Sequence, residues 1–148
     1  MQKPWLSQYA GVAEHIDLNR FNSIPAIFDS AFARFSDRPM AINMGKSLTY
    51  REFDQYSRDV AAWLQSLGLQ KGDRVAIMMP NCLQYLILVP AILRAGYAVT
   101  NINPLYTPDE LTHQLNDSGA KAIFILENFA YVLEVSLPNL PNIKHVVV

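Results

Sequence analysis

Charge is what this chain has least of. Charged residues make up 17% of it, against roughly a quarter in ordinary soluble domains. The net charge is −1, so no basic field is present to hold nucleic acid or an anionic membrane. Cysteine is nearly absent. The single Cys82 excludes an internal disulfide and any metal site built from several thiolates. His15, His113 and His145 stand far apart at no ligand spacing, and read as surface or structural residues. Long apolar runs are missing too. The longest uncharged one, "LILVPAIL" from Leu86 to Leu93, is about half of a bilayer span. The opening "MQKPWLSQYAGV" has no apolar signal-peptide core. These absences predict a cytoplasmic protein, with peripheral membrane contact left open.

Three nucleotide and nucleophile signatures are also lacking. No G-x-G-x-x-G, G-x-x-x-x-G-K-[ST] or G-x-S-x-G occurs, so a dinucleotide fingerprint, a P-loop and a nucleophile elbow are all excluded.

What is present is apolar: hydrophobic residues make up 51% of the 148, enough for one cored domain. Residues 1–22 show little periodicity and predict an extended arm anchored by Trp5. From Ser23, apolar residues at 24, 27, 28, 31, 32 and 35 recur at helical spacing. "MAINMGKSLTY" predicts two short strands around a Gly45-Lys46 type II′ turn. Thr49 and Glu52 then stand at capping-box spacing. The helix behind them carries Phe53, Tyr56, Val60, Trp63, Leu64 and Leu67 on one side, with Gly68 as its stop.

A strand-helix unit then repeats. "DRVAIMM", "AVTNI", "KAIFIL" and "KHVVV" read as strands, separated by three helical segments. The strands are almost wholly apolar, as expected when helices cover both faces of a sheet. Helical connections imply parallel pairing and right-handed crossovers. The expected fold is therefore α/β: a doubly wound, mostly parallel sheet with helices on both faces, plus a small N-terminal hairpin. Pro90 is expected to kink or interrupt its helix. The low charge and the apolar "HVVV" predict the opening portion of something larger, a partial domain.

In such sheets ligands bind beyond the carboxyl ends of the strands, so those loops are the candidates. Asp73 lies at the opposite end, against a receiver-like acidic site. Cys82 opens a mostly apolar helix with no His beside it in sequence, and reads as a buried structural thiol. The loop "NPLYTPDEL" stands out. Thr107, Pro108, Asp109 and Glu110 make an ordinary helix start: N-cap, N1 proline, dipole-matched acid, capping box. That leaves Asn103, Pro104, Leu105 and Tyr106 unexplained. Pro104 holds Asn103 extended and presents Leu105 and Tyr106 at the ligand edge. Packing against a further domain and contact with a ligand both fit.

"LTYREFD", "GDRVAIMMPN" and "ILRAGYAVTNINPLYTPDELTHQLNDSGAKAI" together resemble the adenylate-forming enzymes. Within them they are most similar to the acyl-CoA synthetase branch and its bacterial long-chain fatty-acid–CoA ligases. The resemblance covers nearly the whole chain. It implies residues 23–148 as the first part of the large N-terminal, AMP-binding domain. It also implies a two-step reaction: a fatty carboxylate attacks ATP to give an acyl-adenylate and pyrophosphate with Mg²⁺, and CoA then displaces AMP. ATP, CoA and Mg²⁺ are implied for the complete enzyme, and none for this chain alone. Fatty acid, ATP and CoA are the implied partners, with no nucleic acid and with homodimerisation or other self-association. A location peripheral to the inner membrane also fits. The Ser/Thr/Gly-rich phosphate loop and the C-terminal catalytic lysine of that family do not occur here, so no residue is assigned as catalytic or metal-binding. Asn103, Pro104, Leu105 and Tyr106 match the loop that lies against CoA in related ligases, and are the candidate CoA-route residues. The alternative is a stand-alone binding or dimerisation module of synthetase-like fold.

Overall fold

The computed structural model describes residues 3–148. The arm of residues 3–22 holds one short 3₁₀ turn, Pro4–Gln8, with no buried residue. Trp5 is 53% exposed, so it does not anchor the arm as expected.

Helix α1 spans Ile24–Phe35. Ser23 caps it, its hydroxyl accepting from the Ala26 N–H at 3.3 Å. Strands β1 (Pro39–Asn43) and β2 (Lys46–Thr49) form the hairpin. Its loop is Met44-Gly45, one residue earlier than the expected Gly45-Lys46, because Asn43 pairs with Lys46. Both loop residues have positive φ, 48° and 78°. That is the primed-turn geometry whose twist matches the flanking strands, and a one-residue slip would have turned every side chain over. Helix α2 (Tyr50–Ser66) starts in a complete Thr49/Glu52 capping box. Gly68 follows its end at φ 75°, a left-handed stop that glycine adopts without strain. Phe32, Leu48 and Phe53 form a small core joining α1, the hairpin and α2.

The main sheet comprises β3 (Arg74–Met78), β4 (Ala98–Ile102), β5 (Ala122–Ile125) and β6 (His145–Val147). Among the described residues its order is β4-β3-β5-β6, with every pair parallel. Helices α3 (Leu83–Arg94), α4 (Pro108–Ser118) and α5 (Ala130–Ser136) make the crossovers. Strand periodicity divides the core cleanly. Val75, Ile77 and Phe124 face α2 and α3, packing with Leu64, Leu88 and Ile92. Ala76, Met78, Ile123 and Ile125 face α4 and α5, packing with Leu111, Leu115, Val132 and Leu133. The expected doubly wound arrangement is thus present.

Pro90 does not interrupt α3, which runs on to Arg94. Its ring is buried, and Ala91 and Ile92 beyond it have no exposed surface. Tertiary burial of that last turn outweighs the one lost backbone bond.

Candidate functional site

The strand order places a direction change at β3. The loop after β3 leads to α3 on one face, whereas the loops after β4 and β5 lead to α4 and α5 on the other. Between the carboxyl ends of β3 and β5 the two loops diverge and open a crevice, the place where such sheets receive ligands. A cleft of about 470 Å³ lies beside that crevice, on the α2/α3 face. Met79 follows β3 at its back, Phe124 and Leu126 come from β5, and Val147 comes from β6. Val60 of α2 and Ile87 and Leu88 of α3 form the opposite wall. Tyr56, Asp59 and Gln84, all exposed, give the cleft its polar side chains. Asp59 is the only charged side chain in the lining, and it accepts from Gln55 Nε2 at 2.9 Å.

None of these lining residues is legible as a site from sequence. Val60, Leu88, Phe124 and Val147 each read as core positions, and only the crossovers bring them to one cavity.

Asn103, Pro104, Leu105 and Tyr106 form a tight turn after β4. The Leu105 N–H donates to Asn103 Oδ1 at 3.0 Å, and the Tyr106 N–H donates to the Asn103 carbonyl at 3.1 Å. Pro104 at the second turn position presets φ for this. β4 is an edge strand of the described sheet, not a central one, so this loop is separated from the β3/β5 crevice by a strand. Its two side chains part company. Leu105 is 80% exposed. Tyr106 packs against the α4/α5 core.

The helix start behind the turn is as expected. Thr107 and Glu110 form a second complete capping box. Hydrogen bonds from the Thr107 backbone N–H, then from its hydroxyl, hold Glu110 below the ordinary carboxylate range.

Other candidates are structural. Asp73 Oδ2 accepts from the Gln70 N–H at 2.8 Å and closes the turn before β3. Cys82 is the N-cap residue of α3 without a side-chain cap bond, and is half-buried against the core. Phosphate would find the arginines of α2 and α3 engaged. Arg51 pairs with Asp37 at 2.6 Å and Arg58 with Asp54 at 3.1 Å. Arg94 pairs with Asp29 at 2.6 Å and Asp54 at 2.8 Å. Among the described residues no three His, Cys, Asp or Glu side chains converge as metal ligands. Those three guanidiniums and the described His, Cys, Asp and Glu side chains therefore make no formed site for a nucleoside triphosphate with its magnesium ion.

These features define a parallel α/β unit whose strands share one carboxyl edge. The AMP-binding enzyme family matches residues 28–148, and the chain belongs to it. It is 55% identical over 136 residues to a long-chain-fatty-acid–CoA ligase of Yersinia pestis, covering 90% of this chain and 24% of that protein. A Bacillus subtilis protein of the same name is 40% identical over 126 residues, covering 85% and 22%. The chain thus spans about a quarter of the length of the curated relatives it matches. Among solved structures, an anthranilate CoA ligase in complex with anthranoyl-AMP matches in fold with a TM-score of 0.83. It is 21% identical, over 89% of this chain and 26% of that one. The luciferase-like enzyme of the nonluminescent mealworm Zophobas morio gives 0.82 at 25% identity, over 90% and 32%.

Proposed function

We propose that this chain is the N-terminal portion of a long-chain fatty-acid–CoA ligase. The complete polypeptide joins a fatty acid to CoA at the expense of ATP, with Mg²⁺ as the nucleotide's cation, in the cytoplasm or at the inner face of a membrane. The observation that carries this reading is 50–55% identity, over most of the chain, to several bacterial proteins of that name.

Within that enzyme, residues 23–148 supply scaffold: a parallel sheet whose carboxyl edge faces the ligands. Asn103, Pro104, Leu105 and Tyr106 line the approach of CoA. The preset turn supports this, because Leu105 is held in solvent at fixed pose, so little conformational entropy is lost on docking. Residues 1–148 alone carry out no adenylation, since the Ser/Thr/Gly-rich phosphate loop and the catalytic lysine that the resemblance implies do not occur in them, and charge on a transferring phosphoryl group needs such groups. The unit also self-associates through its open strand edges.

The test is pyrophosphate release by the complete polypeptide across fatty acids of different length, run beside residues 1–148. Release that depends on long-chain fatty acid, from the complete polypeptide only, is expected. Release from residues 1–148, or none from the complete polypeptide, overturns the reading.

A further inference from the structure

We propose that Asn101 is a positioning residue: its contacts with Tyr85 and Gln114 lock the carboxyl end of β4 and so set where the 103–106 turn stands for an arriving CoA. The inference deepens the ligase reading of that turn and rests on it.

The geometry that carries it lies two residues upstream of the turn. Asn101 is exposed on an edge strand, yet it is held from both faces of the sheet. On the α3 face the Tyr85 hydroxyl donates to Asn101 Oδ1 at 3.1 Å. From α4, Gln114 Nε2 donates to the Asn101 backbone carbonyl at 3.0 Å. β4 pairs only with β3 among the described residues, so these two side chains hold its far side where a neighbouring strand would. The downstream end of the turn is tied separately. Thr107 and Glu110 close their capping box, and the buried Ser136 hydroxyl donates to the Pro108 carbonyl at 3.1 Å. With that end fixed, Asn101 sets the other.

Gln114 Oε1 is the second observation. It is buried with no partner among the described residues, and a buried acceptor left unpaired costs stability. An apolar side chain would avoid that cost, so packing does not account for an amide here. What the amide adds is the Asn101 bond, which fixes a geometry rather than adding stability. A turn already in place loses little conformational freedom when a ligand docks. Freeing its upstream end therefore penalises CoA binding and leaves adenylate formation alone.

The test uses the complete polypeptide with Asn101→Ala, Asn101→Asp and Tyr85→Phe. Sub-second deuterium uptake at the Leu105 and Tyr106 amides reads the turn without any ligand, and steady-state kinetics read CoA. Asn101→Ala should speed uptake and raise KM for CoA, each about fivefold, the scale of one net hydrogen bond. Pyrophosphate release before CoA is added should not change. Asn101→Asp keeps an acceptor for the Tyr85 hydroxyl, so it should return both readouts to within about twofold of the parent. Tyr85→Phe removes only that hydroxyl and should act as Asn101→Ala does. It replaces Asn101→Ala should the latter lose its native circular dichroism. Unchanged uptake overturns the proposal. So does faster uptake with KM for CoA unchanged while Leu105→Ala raises it. If Leu105→Ala leaves that constant unchanged as well, the CoA reading of the turn has failed and takes the inference with it, whatever the uptake shows. Equal losses in pyrophosphate release and thioester formation, or no rescue by Asn101→Asp, make Asn101 scaffold and overturn it too.

Discussion

One guanidinium joins three helices. Arg94, at the end of α3, donates to Asp29 of α1, to Asp54 of α2 and to the Ser57 hydroxyl at 2.6 Å, and lies over the Phe32 ring. Its side chain is only 16% exposed, and Ser57 is fully buried. Arg94→Ala removes one partner each from Asp29, Asp54 and the Ser57 hydroxyl, while Arg58 still pairs with Asp54 and the Ser57 hydroxyl still donates to the Asp54 carbonyl. A loss of about 2 kcal/mol is expected in urea unfolding, below the fully buried case because Asp29 and Asp54 keep some solvent. Asp54 itself carries a pH dependence. Burial raises its carboxyl, but hydrogen bonds from Arg58 and Arg94, and their charges, together hold it below its ordinary 3.8. A depressed folded pKa stabilises above the unfolded value and loses that contribution as pH falls through the folded one. Asp54→Asn should therefore flatten part of the stability loss below about pH 4, measured as urea midpoints. Leu105 and Tyr106 separate two roles for their loop. Leu105→Ala should leave thermal stability unchanged, since the side chain is in solvent. In the complete enzyme it should raise KM for CoA with adenylate formation intact. Tyr106→Ala should lower the melting temperature, because its ring packs on the core. Equal losses in both half-reactions for Leu105→Ala would make the loop scaffold.

At the scale of elements, helix starts and the hairpin turn are the testable units. α2 and α4 begin with the same device, Thr at the N-cap and Glu three residues on. Thr107→Ala removes the acceptor for the Glu110 N–H and should cost about 1 kcal/mol. Thr49→Ala should cost a similar amount, and the two should add, since the helices do not share the capped turn. The hairpin carries the opposite sign. Met44 sits at φ 48° with its side chain 98% exposed, so no packing offsets its left-handed backbone. Met44→Asn should stabilise by about 0.5 kcal/mol, because asparagine tolerates that region. A destabilised Met44→Asn would show that the methionine side chain has a partner.

The whole unit ends in open edges. β6 pairs only with β5 among the described residues, and Val146 and Val148 are 43% and 70% exposed. β4 is better guarded. Gln114 Nε2 donates to the Asn101 carbonyl on its outer side at 3.0 Å, although Gln114 Oε1 is buried with no partner among the described residues. An apolar strand with a free edge is a template for pairing. The chain should therefore associate in sedimentation at high concentration, and Val146→Lys should reduce this more than Gln114→Ala increases it. Monomers throughout the concentration range would rule out β6 as a docking edge.

The sequence by itself determined whatever depends on near neighbours. Both capping boxes follow from Thr and Glu three residues apart, and the Gly68 stop from its missing Cβ. The parallel sheet followed from four apolar runs separated by helical segments, a pattern that leaves few topologies. The membership in the AMP-binding family was legible in "LTYREFD" and "NPLYTPDEL", because family motifs are contiguous. Tertiary structure decided the rest. Turn position in the hairpin depended on cross-strand register, which shifted the loop to Met44-Gly45. Pro90 stayed helical because burial of Ala91 and Ile92 overrode a local penalty. β4 became an edge because the next strand paired on the far side of β3, a choice invisible within β4 itself. The cleft was least legible of all. Its walls come from α2, α3, β5 and β6, and apolar residues at those positions look the same in sequence whether they fill a core or line a cavity.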